Sequence, residues 1–389
     1  MKILVIHPST KLVGGGNIAH YNFIKSLVRI GSQIVTVSYD GNNYDQDVSK
    51  KHYSIKLKRS SSIRKYSFNP KLFLFLFRIV KYESPDKIII GQINYLLTLY
   101  LSLSIFNKKT YHVVHSAEYG CLNAMLTRMD DKSPCEGVVG IKCLRYCNYS
   151  ILNFGFRIVL NNARNFLLKR FISVFICHSR FMYDYMIRNG FVNVKYVPLY
   201  LSNVEKIVPS EKVISKKEIK LIFVGTLTWN KGFNEIIEAI SKIKCDSQIL
   251  LHYDIVGNGP LMKYSIEKLK NSKGITYNIH GTLPHSKTLE LIKKSDILLF
   301  PSYFESLGLV VLESMMYSKF IIISNRGALP EITKNYRKKI IIEIININNI
   351  IKSIEEAIKI ILNNEKNEKI QLNYKDKYYM DDILTQMIQ

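Results

Sequence analysis

Short apolar runs alternate with segments of helical spacing along most of the chain. KILVIH (2–7) is followed by a stretch in which apolar residues recur every three to four positions, and then by QIVTVSYD (33–40). Runs of this length predict buried strands, and the spacing between them predicts amphipathic helices. Strands that alternate with helices indicate a parallel sheet covered on both faces. Three further strands are predicted in the first half: KIIIG (87–91), TYHVVHS (110–116) and SVFICHS (173–179).

The second half of the chain repeats the alternation more clearly. Helical segments such as SKTLELIKKS (286–295) lie between its apolar runs. Residues 202–218 are polar and show no periodicity, so they are the best candidate for a linker. The strands predicted in this half are IKLIFVG (219–225), ILLHYDIVG (249–257), ITYNIHG (275–281), DILLFPS (296–302) and FIIIS (320–324).

These elements predict an α/β protein with two tandem Rossmann-like, doubly wound domains, over residues 1–205 and 206–365. A C-terminal helix over 366–389 has no strand after it, and it can cross back to the N-terminal domain. Ligands of doubly wound sheets bind beyond the carboxyl ends of the strands. We therefore expect two domains that face one central cleft, with the chemistry carried by residues just after strands.

Charge is distributed unevenly along the chain. The formal net charge is +24, of which +17 falls in residues 1–205 and +7 in residues 206–389. A basic N-terminal half suggests an anionic partner such as phosphate, acidic lipid or nucleic acid. A genome that uses lysine at many surface positions explains the same excess.

Neither an export signal nor a membrane span is predicted. Only ILVI stands between Lys2 and His7, which is too short for the apolar part of a signal peptide. Residues 88–107 are uncharged over the length of a span, but they include Gly91 and Asn94 and divide naturally into a strand and a helix. We expect a cytoplasmic protein, with peripheral attachment to the inner face of the membrane as an open alternative.

Two features follow strands of the N-terminal half. Gly15 and Gly16 end a run of three glycines before the first helix, where backbone N–H groups can meet an anion. A plain turn explains the glycines as well. His115 stands near the end of the predicted strand 110–116. It is either a structural histidine or a group directed at the same cleft.

Three loops of the C-terminal half carry stronger candidates. Lys231 stands in GTLTWNKG (225–232), just before a predicted helix, where a bound phosphate would offset the unfavourable helix dipole. Glu305 and Glu313 flank Gly308 in PSYFESLGLVVLESMM, which is otherwise apolar. A buried carboxylate at Glu313 needs donors, which a backbone N–H, a nearby lysine or the hydroxyls of a sugar can supply.

Five motifs of the C-terminal half occur in a fixed order: GTLTWNKG (225–232), IVGNGP (255–260), IHGTLP (279–284), the Glu305 to Glu313 pair and GALPE (327–331). Together they resemble the large retaining glycosyltransferase family with the GT-B fold, family four in the usual sequence classification. The resemblance covers the C-terminal half, and it extends more weakly to the N-terminal half through the glycine loop, His115 and FICHSRF (175–181).

The resemblance implies a division of roles. The C-terminal domain would bind a UDP- or GDP-sugar, and the N-terminal domain would bind a glycan or lipid-linked acceptor. Glu305, His115 and Lys231 would be catalytic, no metal or other cofactor would be needed, and the anomeric configuration would be retained. Cell-surface polysaccharide synthesis is the process implied. The residues expected to bind the donor are Gly15, Gly16, Gly225, Thr226, Lys231, Ser306, Leu307, Gly308, Leu309 and Glu313.

The sequence departs from the family pattern at two places. The family usually has arginine where Thr226 stands, so a phosphate contact is missing unless another cation such as Arg326 supplies it. Many members carry an acid directly after the histidine, whereas Ser116 follows His115 and Glu118 comes two positions later. A catalytically impaired scaffold that binds sugar nucleotides therefore stays open as an alternative function.

Four of the six cysteines fall in one segment, and their spacing does not match the usual paired zinc pattern. A metal knuckle, a disulfide and reduced thiols all stay open, and zinc is not the favoured interpretation. The four residues are Cys121, Cys135, Cys143 and Cys147.

Residues 51–81 combine nine Lys/Arg with several aromatic side chains. Asn69-Pro70 predicts the start of a helix, KLFLFLFRIVK, which either packs in the outer layer of the sheet or enters a membrane interface. Core packing is the preferred interpretation, and docking of this face on anionic lipid is the alternative.

Other function classes fit less well. Asp45-Gln46-Asp47 has the letters of a metal-dependent GT-A motif, but two tandem α/β domains are the wrong architecture. A sugar-nucleotide epimerase shares the fold without this set of motifs. A basic nucleic-acid-binding protein is the other alternative, but no nucleic-acid motif is visible and no nucleic-acid partner is expected.

Overall fold

The chain divides into two compact units. In the computed structural model, one unit holds Met1–Leu12, Gly16–Ser202 and Lys375–Gln389, and the other holds Val13–Gly15 and Asn203–Tyr374. The predicted linker and C-terminal helix lie outside the described residues, apart from Glu218 and residues 384–386, and so does the Asp45-Gln46-Asp47 motif. The structure describes residues 1–10, 12, 14–40, 48–57, 67–199, 218–243, 249–270, 272, 274–363 and 384–386.

The N-terminal unit is built on a seven-stranded sheet with the order β3-β2-β1-β4-β5-β6-β7. All neighbouring strands pair in parallel. Leu384 is fully buried and belongs to the apolar core of this unit. The strands are β1 Lys2–His7, β2 Gln33–Ser38, β3 Lys51–Ser54, β4 Lys87–Ile90, β5 Lys109–Val114, β6 Val174–Cys177 and β7 Val194–Tyr196.

Helices connect these strands. Asn69 caps α2 by accepting a hydrogen bond from Leu72 N at 3.0 Å, and Pro70 takes the first helical position, as the sequence predicts. One face of α2 is buried, so its predicted core packing is confirmed. The helices are α1 Gly15–Arg29, α2 Pro70–Glu83, α3 Leu96–Ser104, α4 Lys142–Tyr146, α5 Ile151–Phe171 and α6 Arg180–Arg188.

The second unit is built on a six-stranded parallel sheet with the order β10-β9-β8-β11-β12-β13. Its strands are β8 Glu218–Val224, β9 Leu250–Val256, β10 Ile275–Gly281, β11 Ile297–Phe300, β12 Phe320–Ser324 and β13 Lys339–Ile342. Its helices are α7 Phe233–Lys242, α8 Met262–Lys270, α9 His285–Lys294, α10 Leu309–Met316, α11 Leu329–Ile332 and α12 Ile347–Asn363.

Both sheets have the doubly wound strand order, so the predicted fold class is confirmed. In each sheet the order reverses beside the first strand, between β1 and β4 in one and between β8 and β11 in the other. Ligands of such sheets bind at this switch point, beyond the carboxyl ends of the strands. A ligand site in the second unit is therefore expected at the loops after β8 and β11.

Three strands are not predicted by the apolar runs of the sequence. β3, β7 and β13 are edge strands of three or four residues, and none is completely buried. A short edge strand lacks the continuous apolar run that marks a strand covered on both faces.

The uncharged segment 88–107 divides into β4 and α3, as predicted. Within the described residues, no helix has both the length and the apolar character needed to cross a membrane.

Candidate active site

The loop after β8 is folded tightly against the loop after β11. Lys231 ends a short 3-10 turn, and Gly232 follows it with a φ of +67°. A Cβ at Gly232 would lie 2.2 Å from the carbonyl oxygen of Pro301. Tyr303 N also donates to Asn230 O at 2.9 Å. The position of Lys231 is therefore set by backbone contacts between the two loops at the switch point.

Gly232→Ala is expected to destabilise the protein by about 3 kcal/mol or more, since it combines a left-handed φ with a clash against backbone. Gly274→Ala is the matched control, because Gly274 has a φ of +80° and open space around its Cβ direction. The control should lose only about 1–2 kcal/mol. Urea unfolding followed by circular dichroism measures both. Equal losses would show that the contact with Pro301 does not determine the loop.

Lys231 and Glu305 form an ion pair across these loops. Lys231 Nζ donates to Glu305 Oε1, and both side chains are half-buried. Lys231 Nζ also lies 5.8 Å from the centroid of the Phe300 ring. The carbonyl oxygen of Glu305 accepts a hydrogen bond from Ala328 N at 2.9 Å, so the loop after β12 is tied to the same place. The structure thus brings together two of the predicted catalytic residues.

The first turn of α10 begins beside this pair. Gly308 precedes the helix and, because it has no side chain, supplies no cap to its first turn. The first N–H groups of a helix have no intrahelical acceptor, and the helix dipole favours an anion there. The predicted phosphate-binding positions Ser306, Leu307, Gly308 and Leu309 all lie at this helix start.

Glu313 lies further along α10 and is only 5% exposed. Its Oε1 is 2.6 Å from Nε2 of His285, the first residue of α9. The predicted alternatives for its partner were a backbone N–H, a lysine or a sugar, so the histidine was missed. One feature of the sequence could have indicated this histidine: His285 directly follows the IHGTLP motif.

Gly225 and Thr226 lie at the end of β8. Gly225 N donates to Val256 O at 3.0 Å, and a Cβ on Gly257 would lie 1.8 Å from Gly225 O. Gly257 of the IVGNGP motif therefore allows the loop after β9 to pack closely against the loop after β8. Thr226 is exposed and carries no charge, so it supplies no cation to the site.

Arg326 follows β12, the strand next to β11. Its Nε atom is buried and has no hydrogen-bond partner in the part of the chain that the structure describes. A buried donor without an acceptor is costly unless a ligand supplies one. Arg326 is therefore a candidate for the missing phosphate contact.

The predicted residues of the N-terminal half lie just after strands. Gly15 and Gly16 open α1, and His115 directly follows β5. Gly16 and His115 belong to a different unit from Lys231 and Glu305, whereas Gly15 is grouped with those two residues. The predicted approach of all three to the donor stays a prediction.

His115 belongs to a cluster of buried histidines. The rings of His7 and His20 stack with centroids 4.5 Å apart, His20 meets His115 edge-on at 5.9 Å, and His115 lies 6.1 Å from His178. Burial lowers the pKa of His7 and of His178 to about 4, and burial with neighbouring histidines lowers the pKa of His20 and His115 well below the usual value. Of these histidines only His115 is predicted at the site from the sequence, although His7 and His178 also stand at strand ends.

The four clustered cysteines are free thiols. Asn123 contacts two of them, accepting from Cys121 Sγ at 2.8 Å and lying 3.7 Å from Cys147 Sγ through its amide nitrogen. Among the described residues, no group of three or more His, Cys, Asp or Glu side chains is arranged to hold a metal ion.

Comparison with known proteins assigns the second unit. The sequence profile of the family described as Glycosyl transferases group 1 matches residues 205–377. Residues 205–377 form a group 1 glycosyl transferase domain. The match confirms the predicted family, and Lys231, Glu305 and Glu313 all lie inside this domain.

Relatives of the glycosyl transferase domain include proteins that match over different lengths. An uncharacterized 41.2 kDa protein in the cps region of Klebsiella pneumoniae is 22% identical over 336 residues, which cover 84% of each chain. An uncharacterized glycosyltransferase of Methanocaldococcus jannaschii is 29% identical over 126 residues, so the match spans only 31% of each protein.

The fold of the whole chain is similar to that of solved glycosyltransferase-like structures. Anabaena Alr3699/HepE, crystallised in complex with UDP, matches with a TM-score of 0.67 at 14% identity, over 100% of this chain and 99% of that one. At this identity the likeness shows the fold, and it confirms the predicted GT-B class.

Proposed function

We propose that the protein is a retaining glycosyltransferase that moves a sugar from a nucleotide-diphosphate sugar to a glycan or lipid-linked acceptor. The observation that carries the proposal is the Lys231–Glu305 pair beside the open start of α10, at the switch point of a group 1 glycosyl transferase domain. The complex of Anabaena Alr3699/HepE with UDP supports a nucleotide donor, and the cps-region relative supports a role in cell-surface polysaccharide synthesis.

The proposed donor site holds the diphosphate with fixed positive charge. Lys231 and the first turn of α10 face the phosphates, and Arg326 replaces the arginine that the family usually carries at Thr226. Transfer breaks the bond between the anomeric carbon and a phosphate oxygen, so negative charge develops on the leaving diphosphate. Lys231 stabilises that charge electrostatically, and this role needs no metal.

The proposed sugar contacts are made by two carboxylates and a histidine. Glu313 receives the ribose hydroxyls, with His285 orienting its carboxylate, and Glu305 faces the transferred sugar. His115 contacts that sugar as a neutral imidazole, since its pKa is lowered by burial. Gly15 and Gly16 complete the donor contacts. In the forming bond, the acceptor oxygen takes the place of the phosphate oxygen on the same side of the anomeric carbon, and the proton of the acceptor hydroxyl passes to the leaving diphosphate.

A thermal-shift screen of the purified chain against UDP- and GDP-sugars tests the proposal. At a concentration 100 times the dissociation constant, a donor should stabilise the folded protein by about 2.7 kcal/mol. The proposal fails if none of these nucleotide sugars stabilises the chain. A donor that stabilises it, but is not consumed with any acceptor tried, would favour the impaired scaffold that Thr226 left open.

Glu313→Ala is expected to weaken binding of that donor about 10- to 100-fold, because hydrogen bonds to a carboxylate are lost. Titration calorimetry of folded variants measures the affinity. Glu238→Ala is the matched control, since Glu238 pairs with Lys268 at 2.7 Å and Lys242 at 3.1 Å away from the site. Gross unfolding of the Glu313 variant with unchanged donor affinity would make Glu313 a structural residue.

A further inference from the structure

Helix α5 carries apolar side chains on two opposite faces. Its inner face is buried and includes Phe154, Leu168 and Phe171. The outer face repeats apolar residues at helical spacing, which aligns them in one stripe along the helix. These residues, defined here as the outer stripe, are Leu152, Phe156, Val159 and Phe166, which are 88%, 57%, 65% and 59% exposed.

The apolar surface continues beyond the N-terminal end of α5. Ile151 is 78% exposed, and Ile141, which immediately precedes α4, is 81% exposed. Helix α4 packs against α5, so these side chains belong to one region of the unit. Contiguous exposed apolar surface of this kind marks an interaction site in a folded protein.

The sequence segment that carries the outer stripe has charged residues of a single sign. The sequence has no Asp or Glu from Gly137 to Tyr183. The guanidinium of Arg170 lies 5.7 Å from the ring centroid of Phe166, at the end of the stripe. The basic residues of the segment that the structure leaves exposed are Lys142, Arg145, Arg157, Lys169, Arg170 and, at the start of α6, Arg180.

We propose that the outer stripe docks on a bilayer that contains anionic lipid. The apolar side chains enter the boundary between headgroups and acyl chains, and the basic residues pair with lipid phosphates. Helix α5 lies in the plane of the membrane, since it is not apolar enough to cross it. A second copy of this chain is a poorer occupant, because two surfaces of the same positive sign repel each other.

This surface differs from the one that the sequence favours for lipid. The basic and aromatic segment 51–81 contains α2, whose outward side chains include Leu74 at 51% and Tyr82 at 75% exposure. Its apolar side chains at helical spacing are turned into the core.

The proposed docking of the outer stripe does not depend on the transferase reaction. A docked enzyme would, however, meet a lipid-linked acceptor.

Flotation with vesicles separates the two surfaces. The full chain should float at moderate salt with vesicles of phosphatidylcholine and phosphatidylglycerol and should stay unbound with phosphatidylcholine alone. Leu152→Gln/Phe156→Gln should lower the partition into anionic vesicles by about tenfold or more. The matched variant Leu74→Gln/Tyr82→Gln, which removes two exposed apolar side chains from α2, should bind like the unaltered chain. Equal binding by the α5 variant, or a loss confined to the α2 variant, overturns the proposal.

A fluorescence measurement tests insertion directly. The chain has one tryptophan, Trp229, so Phe156→Trp adds a second emitter whose signal is obtained by difference. Its emission should shift to the blue with anionic vesicles and be quenched by brominated acyl chains. An unshifted spectrum in vesicle-bound protein would place the stripe outside the bilayer and overturn the proposal.

Light scattering after size exclusion distinguishes the competing occupant. A monomer is expected, whereas a dimer that Leu152→Gln/Phe156→Gln abolishes would assign the stripe to a second copy. Stabilisation of the protein by a nucleotide sugar in the thermal-shift screen is a separate measurement. Lost docking with retained donor binding would overturn only this inference, and retained docking without any donor would overturn only the proposed function.

Discussion

Lys231→Met is expected to lower kcat for sugar transfer by about 10²–10³-fold, since that is the usual effect of removing one preorganised group that stabilises developing charge. The lysine is held in place by the pair with Glu305 and by the backbone contact between Gly232 and Pro301. Methionine keeps the length and the apolar part of the side chain, so the loop retains its packing. The measurement is the rate of nucleoside diphosphate release at saturating donor and acceptor.

The melting temperature of the Lys231→Met protein should fall by only a few degrees, because a partly exposed ion pair contributes about 0–1 kcal/mol. Lys268→Met is the matched control, since Lys268 also pairs with a carboxylate, that of Glu238, in the same unit. The control should show a similar change in stability and unchanged turnover. An increase in KM with unchanged kcat would assign Lys231 to ground-state binding and contradict the proposed role in the transition state.

Acidification is expected to unfold the N-terminal unit near pH 5. Burial lowers the pKa of His7, His112 and His178 to about 4 each, against an unperturbed value of 6.5, and lowers the pKa of His20 and His115 further. Asp40 acts in the opposite direction at His7, but burial outweighs it.

The direction in which stability changes with pH follows from proton binding. Below pH 6.5 the unfolded chain binds protons that the folded unit excludes, so the stability that is present above pH 6.5 falls as the pH decreases. Each histidine contributes about 1.4 kcal/mol per pH unit over the interval between its two pKa values. Five such groups remove at most about 10 kcal/mol between pH 6.5 and 5, which is comparable with the whole stability of a domain.

Urea unfolding at several pH values between 7.5 and 5, followed by circular dichroism, measures this slope. His20→Leu should reduce it by about 1.4 kcal/mol per pH unit, since one titrating group is removed from a fully buried position. Ser26→Ala, at another fully buried position of α1, is the control that changes packing without changing the slope. A slope that is the same in all three proteins would show that His20 takes up its proton equally in both states.

The pattern of apolar residues was enough to predict the parallel strands and the two doubly wound sheets. Buried strands and amphipathic helices each have a local signature, and the rule that ligands bind beyond strand ends then directs attention to Lys231 and Glu305. The edge strands β3, β7 and β13 were not predicted because they are short and incompletely buried. The family motifs add roles to residues, but the residues themselves were visible from their positions after strands.

Contacts between distant parts of the chain could not be predicted in the same way. Lys231 and Glu305 are 74 positions apart, and His285 and Glu313 are 28 apart. Their meeting depends on which strands become neighbours and how closely the loops pack, for which local periodicity contains no information. The same is true of the buried histidines, which are scattered along the sequence and gathered only by the sheet.

Local patterns and short motifs were sufficient to predict the fold class, the family of the C-terminal part and most of the candidate donor site. Which side chains pair and which faces stay uncovered depends on tertiary packing. Helix α5 shows why: its two apolar faces look alike in the sequence, and packing against the rest of the unit buries one and leaves the outer stripe exposed.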